Sequence, residues 1–89
     1  MLAERHYPIA TGDSGIKLLT SYHLKETSGT AAAVVNVRNG GGAGAVIIPI
    51  RLEANEFVDV EFTAPLLSSD KWYIEVASGS VTGSFSGVT

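Results

Sequence analysis

The chain contains no cysteine. That excludes a disulfide framework and any metal site built on thiolates. Charge is scarce as well: Asp, Glu, Lys and Arg make up 17% of the residues, against the usual quarter. The six Lys and Arg residues are scattered singly and the formal charge is −3. A nucleic-acid partner, whose phosphates call for a basic face, is not expected. Long apolar runs are missing too. The longest, residues 45–50, falls far short of the ~20 residues a membrane-spanning helix needs. The opening "MLAERHYPIATGDSG" has no signal-peptide core, because Glu4, Arg5 and His6 interrupt it at once. The chain is therefore expected to be made and kept in a cytoplasm. Only two histidines occur, His6 and His23. Neither has a carboxylate at ligand spacing on a shared face, so no metal or other cofactor is expected.

What the chain does have is 45% hydrophobic residues among many serines, threonines, glycines and valines, which speaks for a folded rather than a disordered chain. At 89 residues it is one domain, burying about 60–65% of its unfolded surface. Such a domain without staples gains stability by oligomerising or by docking on something larger.

Residues 1–14 combine charge, Pro8 and Gly12 and read as an irregular N-terminal arm; residues 15–89 read as a single β-domain. "IKLLTSYHLKE" alternates with a period of two, apart from Leu19. "AAAVVNVRN" sets Ala31, Ala33, Val35 and Val37 on one face. "AVIIPIRL" follows, and its Pro49 places that strand at an edge or beside a bulge. "FVDVEFTAP" alternates Phe57, Asp59 and Glu61 against an inward set of Val58, Val60 and Phe62. Residues 64–70 read as a crossing loop with exposed Leu66 and Leu67. The stretch "KWYIEVASGSVTGSF" reads as a terminal hairpin turning at Ser78, Gly79 and Ser80. The expectation is an all-β fold: a small antiparallel β-sandwich or jelly-roll-like barrel of about six to seven strands.

The glycine cluster "NGGGAG" between two strands raises the question of a phosphate loop. A P-loop needs Lys and Ser or Thr after its last glycine, then a helix. Here Gly44 is followed by Ala45, Val46 and a strand, and the dinucleotide fingerprint fails for the same want of a helix dipole. Asn39-Gly40 is instead a favoured hairpin pair, with extra glycines that lengthen the tip and add mobility. Asp59 and Glu61 share a face, but a sheet with short turns offers little cleft to perturb either carboxyl. Their expected role is a solvated face that discourages edge pairing. No serine stands in a GxSxG setting and no Ser-His-Asp set is indicated, so an enzyme is not expected. Adjacent strand residues point to opposite faces, which puts Trp72 in the core and Tyr73 outside, available to a partner protein.

The pieces "GTAAAVVNVRNGGGAGAVIIPIRLEANEFVDVEF" and "WYIEVASGSVTGSF" together resemble small structural proteins of tailed bacteriophages. The matching segments are residues 31–38, 39–44, 45–55, 56–63 and 72–85, about two-thirds of the chain. The resemblance implies a virion component, first of all a capsid decoration (cement) protein on the outer capsid surface, made in the bacterial host cytoplasm. It implies the major capsid protein as partner and a homo-oligomer, a trimer being favoured. It carries no catalytic motif. The arm, with Leu2, Tyr7, Pro8 and Ile9, and the loop with Leu66 and Leu67 are then the expected contact regions, together with Tyr73. Two other readings remain open. One is a carbohydrate- or host-surface-binding module, such as part of a tail fibre, using Tyr73 and the tip at residues 40–44. The other is a head–tail or tail component.

Overall fold

The computed structural model describes residues 4–89. Eight strands follow one another: β1 (Glu4–Pro8), β2 (Gly12–Asp13), β3 (Leu18–Glu26), β4 (Ala33–Asn39), β5 (Ala45–Leu52), β6 (Phe57–Leu67), β7 (Trp72–Ser78) and β8 (Val81–Val88). They form two antiparallel four-stranded sheets, one in the order β1-β8-β3-β6 and the other β2-β7-β4-β5. This is the expected β-sandwich. Because β1 leads into β2, β3 into β4, β5 into β6 and β7 into β8, each strand of the first sheet is linked to one of the second. The β4–β5 connection alone is a hairpin within one sheet.

The core follows from alternation. Leu19, Tyr22, Leu24 and Phe85 point inward from the first sheet, and Val35, Val37, Leu52, Trp72 and Ile74 from the second. Tyr22 bridges Phe85 and Phe62, with ring centroids 5.3 Å and 5.9 Å away. Each fully buried aliphatic side chain here contributes about 1.5–3 kcal/mol.

Four local features depart from the sequence expectation. From Glu4 onward the segment read as an arm is strand: β1 pairs with β8 from Glu4↔Val88 to Pro8↔Ser84, and β2 pairs with β7. The cause is backbone demand, since β8 and β7 would otherwise each present an unpaired row of N–H and C=O groups. Leu19 breaks the alternation of β3 because a bulge lies between Leu19 and Ser21. The extra residue lets Leu19 and Tyr22 both face inward. Residues 64–67, read as loop, belong to β6, which regains its pairing at Leu19↔Leu66 and Leu18↔Leu67. Finally, β7 and β8 are not a hairpin. They lie in different sheets, so Ile74 and Phe85, both wholly buried, face the core from opposite sides. Gly79, at φ 84°, makes that crossing; a Cβ there would stand 2.6 Å from that of Ala33. Pro49 behaves as expected: β5 is an edge strand, and its ladder with β4 shifts between Val37 and Arg38.

One buried charge ties the end of the sandwich together. Glu26 is wholly buried, and its carboxylate accepts hydrogen bonds from the N–H groups of Ser28 and Gly29 at 2.7 Å and of Asn55 at 3.1 Å. It thereby joins the β3–β4 connection to the β5–β6 turn. The Ser28 side chain foremost, with these N–H groups, holds the carboxyl down to about 2 against the opposing pull of burial.

Candidate functional site

The outer face of the first sheet carries the chain's polar chemistry in cross-strand rows. Pro8, Ser84, His23 and Asp59 form one, and His6, Ser86, Ser21 and Glu61 the next. Thr82, Lys25 and Phe57 form a third. His6 Nδ1 lies 2.8 Å from Ser86 Oγ, and His23 Nε2 lies 3.2 Å from Ser84 Oγ. These serine–histidine contacts join strands β1, β8 and β3, and sequence spacing gave no sign of them because their partners are 61 and 80 residues apart. A nucleophilic serine needs a base held by a third group and donors aimed at a developing oxyanion. Asp59 stands in register beside His23, yet no hydrogen bond joins the two among the described residues. Around Ser84 the backbone is engaged in ladders with both β1 and β3. The rows are therefore a hydrogen-bonded polar face, with His23 oriented toward Ser84 alone. Among the described residues, no three His, Asp or Glu side chains come together as a metal cluster.

A shallow groove of about 280 Å³ opens on this face, lined by His23, Leu24, Lys25, Phe57, Thr82 and Gly83. Phe57 forms its apolar wall and is 59% exposed. Sequence parity had already put Phe57 on the outer face beside Asp59 and Glu61. Leu67, at the other end of β6, is 67% exposed. Val46 and Ile47 are exposed on β5, at the same end of the sandwich as Leu67. The large exposed apolar side chains thus lie on β5 and β6, the edge strands of one side of the sandwich.

The other expected contact residues are divided by the fold. Tyr7 and Ile9 are half-buried and pack against the core, while Pro8 is exposed at the end of β1. Leu66 also packs against the core, and its carbonyl accepts a 3.0 Å hydrogen bond from Trp72 Nε1. Leu2 lies outside the described residues. Trp72 is buried and Tyr73 faces outward, as alternation required, on the outer face of the second sheet between Asp13 and Arg38. Tyr73 is half-covered, because the glycine tip folds back on it: a Cβ at Gly42 would stand 3.2 Å from the ring. Hydrogen bonds also tie the tip to β4 and to itself. Arg38 donates to the Gly44 carbonyl at 2.8 Å, and Gly44 N–H donates to the Gly41 carbonyl at 2.9 Å. Arg38 also pairs with Glu75 at 3.1 Å, and Asn36 donates to the same carboxylate at 2.9 Å. Asn36 first, then Arg38, hold the Glu75 carboxyl below its ordinary value. Glu75 thus helps fix the Arg38 guanidinium against the tip.

The two outward carboxylates of β6 differ from Glu75. Asp59 and Glu61 are exposed, and no cation lies within ion-pair distance of either among the described residues. Comparison with known proteins finds no matching family model, no matching curated protein and no matching solved structure.

Proposed function

We propose that this chain is a non-enzymatic structural protein that binds the outside of a tailed-phage capsid as a decoration protein and stabilises the shell, acting as a homo-oligomer. The observation that carries this reading is the set of large apolar side chains on the β5–β6 side: Phe57, Leu67, Val46 and Ile47. Leaving them in water gives nothing to a small domain, whereas covering them against a shell stabilises both partners by mass action. The resemblance of residues 29–87 to small phage structural proteins supplies the kind of shell. The test is quantitative mass spectrometry of purified particles from the source, counting copies of this chain per copy of the major capsid protein. A ratio near that of the capsid protein is expected. A few copies per particle points to a connector or fibre, and complete absence overturns the virion reading.

A second reading, a carbohydrate-binding module, draws on the groove beside Phe57, where an aromatic wall meets Lys25 and Thr82. Under that reading, glycan titration shifts the amide resonances of residues 23–25, 57 and 82. Unmoved resonances remove it.

A further inference from the structure

We infer that the free edge of β6 is a strand-addition site for an extended segment of a partner protein in which apolar residues alternate with basic ones. The inference goes beyond the capsid reading and rests on the geometry of β6 alone.

β6 is the longest strand, with 11 residues, and is hydrogen-bonded on one side only, to β3. Its outer row of N–H and C=O groups therefore faces solvent. The other three edges are poor templates. β5 carries Pro49 and a register shift, β1 has five residues and ends at Pro8, and β2 has two. β6 pairs in unbroken register with β3 from Phe57 to Glu61 and meets no proline before Pro65. An added strand can bond along residues 57–61, the stretch whose pairing with β3 is regular.

The side chains on this stretch define what such a strand must carry. Val58, Val60 and Phe62 face the core yet stay half-exposed, because they line the open side of the sandwich. Apolar residues at alternate positions of an added strand would continue the core over them. Phe57, Asp59 and Glu61 face outward, the two carboxylates about 7 Å apart by strand geometry, and neither forms an ion pair among the described residues. On β3, the neighbour they already have, His23 stands opposite Asp59 and Lys25 opposite Phe57. A strand on the free side would match them with basic residues opposite Glu61 and Asp59 and an apolar one opposite Phe57.

A second copy of the same edge is disfavoured in the registers that overlap this stretch most fully. Antiparallel pairing centred on Val60 sets Asp59 against Glu61 of the copy, and centring on Asp59 or Glu61 sets like residue against like. Each arrangement puts carboxylates directly opposite one another, which destabilises the pair. The same charges that repel a copy attract a basic segment, so the edge is both protected from self-pairing and selective.

The experiment titrates the full chain with two peptides, Ac-Val-Lys-Val-Arg-Val-Leu-NH2 and Ac-Val-Glu-Val-Asp-Val-Leu-NH2, following amide resonances and hydrogen exchange. The basic peptide is expected to protect amides within residues 57–61 and to bind roughly tenfold more tightly than the acidic one, from two cross-strand ion pairs. Asp59→Lys with Glu61→Lys reverses the order, and Asp59→Asn with Glu61→Gln makes the two peptides equivalent. Equal affinity for the unmodified chain, protection on another strand, no binding of either peptide, or protection of β6 by self-association would each overturn the inference. A chain that coats shells but ignores both peptides loses this inference only. One that takes the basic peptide but is absent from particles loses the capsid reading only.

Discussion

Glu26 is the residue at which a single side chain has the widest reach. A wholly buried carboxylate is tolerated only when hydrogen bonds replace its water, and three N–H groups from two different connections do so here. Its sequence setting, at the end of an alternating strand and before "TSGT", looks like any polar strand end, because the N–H of Asn55 arrives from 29 residues away. The consequence is a pH dependence of defined sign. The folded carboxyl titrates at about 2, below its ordinary 4.5, so between those values the unfolded chain binds more protons than the folded one. The stabilisation is full above the unfolded value and is lost as pH falls through 4.5 toward 2. Denaturant unfolding between pH 7 and pH 2 should show this decline. Glu26→Gln should be less stable than the parent at neutral pH and should lose that part of the acid dependence. An unchanged acid limb in Glu26→Gln would remove the clamp from the account.

At the scale of elements, alternation disclosed β4, the first part of β6 and the inward face of β7, since a period of two is a local property that one burial face imposes. The β1 and β2 strands were hidden because "ERHYP" and "GD" carry little apolar pattern of their own; they are strands because β8 and β7 need partners. The β7–β8 crossing was hidden as well, because "SGS" serves a hairpin and a sheet-to-sheet crossing equally and only the long-range pairing decides, β7 with β2 and β4 and β8 with β1 and β3. The candidate surface was half legible: parity set Phe57, Asp59 and Glu61 on one outer face, while the serine–histidine contacts required the cross-strand register. These strands also change what an N-terminal deletion means. Removing residues 1–13 takes away Tyr7 and Ile9 from the core margin and frees the edges of β8 and β7. A loss on the order of 2–4 kcal/mol is expected, visible as a lower denaturation midpoint. A truncated chain as stable as the parent would mean that β1 and β2 only decorate the sheets.

The whole molecule is a thin sandwich, 42 × 25 × 19 Å, with its inner faces filled by side chains and large apolar side chains exposed on one side. If that side exists for folding, trimming it should cost stability; if it exists for a partner, trimming should cost only the partner. Phe57 and Leu67 separate the two cases, being 59% and 67% exposed at opposite ends of one edge strand. Phe57→Thr with Leu67→Thr puts a β-branched strand former at each position, so stability should remain within about 1 kcal/mol of the parent. Under the proposed capsid reading, binding to particles stripped of this chain should fall at least tenfold, since well-exposed apolar anchors of this kind become interface cores when covered. Co-sedimentation with stripped particles, beside a denaturation curve, reads both quantities on the same samples. Undiminished binding with unchanged stability would move the contact surface away from β6, to the Tyr73 face of the second sheet, whose central Arg38 is already held by Glu75. A large loss of stability would instead make Phe57 and Leu67 structural, and the argument for a partner on this side would lose its main support.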